Sequence, residues 1–118
     1  MSIVANILVA LIGLLHVYIL VLEMFLWETP MGLRAFGNTP ASAAATKVLA
    51  ANQGLYNGFL AAGLFWGLLG GGKSVQIFFL LCVLVAGVYG GLTANRRILF
   101  IQAIPAAVGL LLVLLFGS

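Results

Sequence analysis

Four apolar stretches, each close to the length needed to cross a bilayer, take up most of this chain: Ile3 to Trp27, Thr46 to Leu69, Val75 to Thr93 and Ile98 to Phe116. About 20 apolar residues span the hydrocarbon as a helix. None of the four alternates apolar and polar residues as a membrane barrel strand does, and hydrocarbon admits only helices or closed barrels. With 64% of its 118 residues hydrophobic and 6% charged, the chain is no ordinary soluble globule. The reading is an all-α integral membrane protein, a single domain over residues 1–118, folded as a four-helix antiparallel bundle.

The antiparallel order follows from the connections. Gly70-Gly71-Gly72-Lys73 joins the second and third stretches and Asn95-Arg96-Arg97 joins the third and fourth, each too short for anything but neighbours running in opposite directions. The first connection, from Glu28 to about Ala45, is longer and carries Pro30, Gly32, Gly37 and Pro40. Thr39 before Pro40 is a helix start, because the hydroxyl caps free amides and proline tolerates the first helical position. A partly helical connection at the membrane interface is expected, with Met31, Leu33 and Phe36 resting on lipid beside Arg34.

Arg34, Lys47, Arg96 and Arg97 lie in the first and third connections, against Lys73 alone in the second. Basic residues mark cytoplasmic loops, so both termini are expected outside, which in a bacterial inner (plasma) membrane means the periplasm. The first stretch lacks a basic leader and exceeds the apolar core of a signal peptide, so it is expected to remain in the mature protein. Scattered over loops, five basic residues form no nucleic-acid patch, and the partner they imply is membrane lipid. Cys82, the one cysteine, allows no intramolecular disulfide.

Against this background the polar residues stand out. An ionisable side chain in hydrocarbon is costly and marks a functional site by default, and the first stretch carries both His16 and Glu23. Seven residues apart, they share a helix face about 10 Å apart along the axis, with Trp27 on the same face. The second stretch offers Asn52, Gln53, Tyr56 and Asn57 on less than half its circumference, Asn57 as deep as His16. Tyr89 and Gln102 add polar groups in the third and fourth. All lie toward the cytoplasmic half, which predicts a pocket open to that side, with His16 and Glu23 as a candidate acid-base pair and Asn52, Gln53, Tyr56, Asn57, Trp27, Tyr89 and Gln102 as ligand-binding residues. One His, one Glu and amides fall short of a zinc or iron ligand set, so no metal and no cofactor is expected. The glycine pairs Gly54/Gly58 and Gly63/Gly67 are spaced for close helix approach.

The residues His16-Val17-Tyr18-Ile19 with Leu22-Glu23-Met24, Asn52-Gln53-Gly54-Leu55-Tyr56-Asn57-Gly58-Phe59, Ala86-Gly87-Val88-Tyr89-Gly90, and Gln102 with Pro105-Ala106 resemble a family of small bacterial membrane proteins, domain of unknown function 1304. The resemblance runs through essentially the whole chain and implies four spans and an inner-membrane home, without an established activity. The leading expectation is a protein that binds a small lipophilic or amphipathic molecule, with His/Glu proton transfer as its chemistry if it is an enzyme. The rivals are a proton-coupled transporter using Glu23, as a homodimer or higher homo-oligomer, and a membrane scaffold subunit.

Overall fold

A run dominated by Leu, Val, Ile and Ala favours one long helix at the start of the chain, and α1 covers Ser2–Met24 in the computed structural model, which describes residues 2–117. Five further α-helices follow among the described residues: α2 (Pro30–Phe36), α3 (Pro40–Ala45), α4 (Lys47–Trp66), α5 (Lys73–Thr93) and α6 (Ile104–Phe116). Wider π-helical turns at Gly67–Gly71 and Leu99–Ala103 continue α4 and lead into α6. No strand occurs among the described residues, so the all-α class holds.

Three segments are long and apolar enough to cross a membrane: Ser2–Met24, Lys73–Thr93 and Leu99–Phe116. α4 is long enough, at 20 residues, but Asn52, Gln53 and Asn57 dilute its apolar content. Length and composition therefore assign three spans where the sequence predicts four.

Helix ends differ from expectation where local hydrogen bonds intervene. α1 stops at Met24 rather than Trp27 because the Leu26 N–H reaches back five residues to Val21 O at 3.1 Å, closing the turn. Thr29 then donates its hydroxyl to Leu26 O at 2.7 Å and accepts from Gly32 N at 3.3 Å, which caps α2, with Pro30 at its first turn. Gly37, in the left-handed region at φ 68°, ends α2 as glycine does best. Thr39 and Ser42 form a reciprocal capping box at the start of α3, as the Thr39-Pro40 pair predicts. That helix does not run on into α4: Thr46, at φ −109° and ψ 11°, separates the two.

The chain forms two compact units, residues 2–14 with 60–117, and Leu15–Phe59; the division falls inside α1 and inside α4. In the first unit, four helices contribute to one core: Ala5, Val9 and Ile12 from α1, Leu64 from α4, Leu80 and Val83 from α5, and Ala106 and Val113 from α6. Where one helix gives more than one of them, they lie three, four or seven residues apart, the spacing of one helix face. Since lipid tails are as apolar as leucine, what holds such a core together is close packing, which small residues permit. Gly63 receives the ring of Phe79 and Gly91 the side chain of Leu99. Gln76, buried at the start of α5, donates from Nε2 to Gly67 O at 3.1 Å, the same carbonyl that accepts from Gly72 N.

A Cβ at Gly87 would lie 2.8 Å from Ala103 N and 3.0 Å from Ala103 Cα, and backbone cannot yield as a side chain can. Gly87→Leu is expected to destabilise the protein by about 1–3 kcal/mol, the usual cost of overpacking. Thermal unfolding in detergent micelles should show this loss. Gly90→Ala, whose nearest neighbour is the flexible tip of Ile98 at 3.4 Å, should unfold close to wild type.

Candidate functional site

The second unit brings α1 and α4 together through glycine. A Cβ on Gly54 would lie 2.5 Å from Met24 Cγ and 3.2 Å from Glu23 Cβ, and one on Gly58 would lie 2.7 Å from Leu20 Cδ1. With no side chain at either position, the α4 backbone approaches the last turn of α1 closely. Between the two glycines, Asn57 reaches across and donates from Nδ2 to Glu23 Oε1 at 2.6 Å. The same Nδ2 donates to Gln53 O at 3.1 Å, so both hydrogens of the amide are engaged and its orientation is fixed. Glu23 Oε2 accepts no hydrogen bond from the described residues.

This pairing corrects the expected depth of Asn57, which lies level with Glu23 rather than with His16. Because Gly54 already faces the end of α1, the first two turns of α4 run past Met24, alongside the connection. Asn52 and Gln53 are consequently exposed, and Asn52 donates back to Val48 O of its own helix at 3.0 Å. Tyr56 is exposed as well, its ring 6.3 Å from that of Phe59 at a tilt of 46°.

His16 is fully buried, two turns before Glu23 on α1. At about 10 Å along the axis no proton passes directly between them, since transfer needs hydrogen-bond contact. Trp27 has a structural task. Its indole Nε1 donates to Ala43 O at 3.0 Å and Thr46 Oγ1 at 3.3 Å, and its ring packs on Phe36 at 4.8 Å, tying the turn after α1 to both short helices. Glu28 pairs with Lys47 at 3.3 Å across an exposed surface, an interaction of little weight.

Two of the sequence-predicted residues belong to the other unit. Tyr89 is exposed on α5 and offers its backbone carbonyl to Thr93 Oγ1 at 2.7 Å. Gln102, in the π-helical turn before Pro105, donates to Val83 O at 3.2 Å and fastens that turn to α5. A groove in that unit, between Trp66, Ser74, Val75, Phe78 and Phe79, is almost wholly apolar and holds none of the predicted residues. Sequence reasoning missed Gln76; the signal was a single amide one turn beyond a triple glycine, where helix breaks leave carbonyls in need of donors.

An all-helical chain with three helices of membrane-crossing length and apolarity is compatible with the class of small helical membrane proteins. Within that class, it is a member of the family described as protein of unknown function (DUF1304), matched over residues 10–114, a span that includes Glu23 and Asn57. It is similar to the uncharacterized protein YpaA of Lactococcus lactis subsp. lactis (strain IL1403), 30% identical over 106 residues that cover 86% of this chain and 89% of the relative. No solved structure matches the chain.

Trp27→Phe keeps the ring contact and removes both indole hydrogen bonds. At about 0.5–1.5 kcal/mol per bond, the connection should loosen by roughly 1–2 kcal/mol. Hydrogen exchange should quicken in α3 while the amides of α1 before Glu23 stay protected.

Proposed function

We propose that this is a four-span inner-membrane protein that binds a small lipophilic or amphipathic molecule beside Glu23 and Asn57. Arg34, Lys47, Arg96 and Arg97 would face the cytoplasm and Lys73 the opposite side, by the bias of basic residues. The observation that carries the reading is the 2.6 Å bond from Asn57 to Glu23. A carboxylate within an apolar helix is expensive to keep, and one amide does not offset the full cost. Glu23 retains an oxygen with acceptor capacity, and Gln53 and Tyr56 are exposed on α4. Small-molecule sites orient their ligands by a few polar groups of this kind in apolar surroundings, here Glu23 and Asn57.

Native mass spectrometry of gently extracted protein should detect a retained small molecule, reduced about tenfold in Asn57→Ala, the equivalent of one hydrogen bond to a charged group. Absence of any bound molecule in the folded wild type would overturn the proposal. Transport is the second reading, favoured by Glu23 being the one acidic residue within the long helices. In proteoliposomes, loss of pH-driven flux of the retained molecule in Glu23→Gln would select transport; unchanged flux with lost binding would reject it. A reporter fused after Lys73 should be inactive in the cytoplasm, and an active one would reverse the orientation.

A further inference from the structure

The geometry points to a lipophilic amine, a protonated nitrogen on an apolar body, as the class of molecule that the Glu23 site takes. The inference rests on the binding reading above and adds the chemistry of the ligand.

Asn57 has both amide hydrogens committed, to Glu23 Oε1 and to Gln53 O. The other acidic residue, Glu28, already pairs with Lys47, and no lysine or arginine among the described residues bonds Glu23. With Glu23 ionised, the site offers a charged acceptor, and no counter-charge or second donor among the described residues bonds it. A neutral hydroxyl supplies the hydrogen bond without the charge, and an anion supplies neither. An ammonium with an N–H supplies both, in the charge-assisted bond that is stronger than a neutral one.

The surroundings suit the rest of such a molecule. Tyr56 and Phe59 lie close to Asn57 along α4, exposed and 6.3 Å apart between ring centres, and give an apolar body a surface to lie on. Gly54 contributes by leaving the stem of Glu23 packed against backbone, which restricts where the carboxylate can swing.

Three probes of one shape separate the possibilities: 2-phenylethylamine, 2-phenylethanol and phenylacetate, titrated by calorimetry into the full chain in phosphatidylcholine nanodiscs, with empty discs subtracted. The amine should bind at least about tenfold more tightly than the alcohol, and phenylacetate should not bind. The side-chain amide resonance of Asn57 should move with the amine. Glu23→Gln, which keeps a carbonyl for Asn57, should weaken the amine about tenfold and leave the alcohol unchanged, while Glu28→Gln should match wild type. If Glu23→Gln does not fold by circular dichroism, Glu23→Asp retains the charge on a shorter stem and should give an intermediate loss. Amine affinity unchanged in a folded Glu23 variant overturns the inference. Alcohol or phenylacetate binding as tightly as amine, and weakened by Asn57→Ala, overturns the amine class while the binding reading stands. No binding of any probe to folded protein overturns the amine class, and a retained molecule seen by mass spectrometry would then keep the broader reading alive.

Discussion

A solvent that supplies no hydrogen bonds obliges every peptide group to find its partner inside the protein, and the interruptions in these helices show how the chain meets that demand. Where α4 gives way to the wide turn at Gly67–Gly71, the Gly67 carbonyl accepts from Gly72 N and from the buried amide of Gln76. At the end of α6, where carbonyls lack intrahelical donors, Lys73 reaches Leu114 O at 3.3 Å. Pro105 cannot donate, and the turn before it widens so that Ile104 N bonds Leu99 O. Polar side chains at these points serve the backbone first.

That priority explains how far the sequence could be read. Long apolar runs and the absence of alternation gave helices at nearly the right bounds, since both depend only on local periodicity. The Thr39-Pro40 start was equally legible, being a matter of neighbouring atoms. Register was not. The level at which Asn57 meets Glu23 depends on how two short helices, α2 and α3, fold between them, and residue counting along an assumed straight crossing misplaced it by nearly two turns. Gln102 and Trp27 read as ligand contacts because their polar atoms were visible while the carbonyls they satisfy, Val83 and Ala43, carry no mark in the sequence.

Glycine supplied the other half of the information. As letters, Gly54 and Gly58 are a common pair in membrane helices. In the structure they decide which face of α4 lies against α1, and Asn57, set between them, is delivered to the carboxylate by that choice of face. The polar contact and the small residues are therefore one feature: with a larger side chain at Gly54, the amide and the acid would sit too far apart to bond.

The connection between α1 and α4 has a consequence of its own. Loops ordinarily absorb added residues with little harm, but this one is capped by Thr29 and Thr39 and pinned by Trp27, so its length is fixed much as a spacer fixes the gap between two machined parts. One residue inserted within the first turn of α4 would turn the rest of that helix by about 100° and advance it by about 1.5 Å relative to its start. The surface segment that looks freest to vary thus gauges the fit of an acid and an amide where the last turn of α1 meets α4.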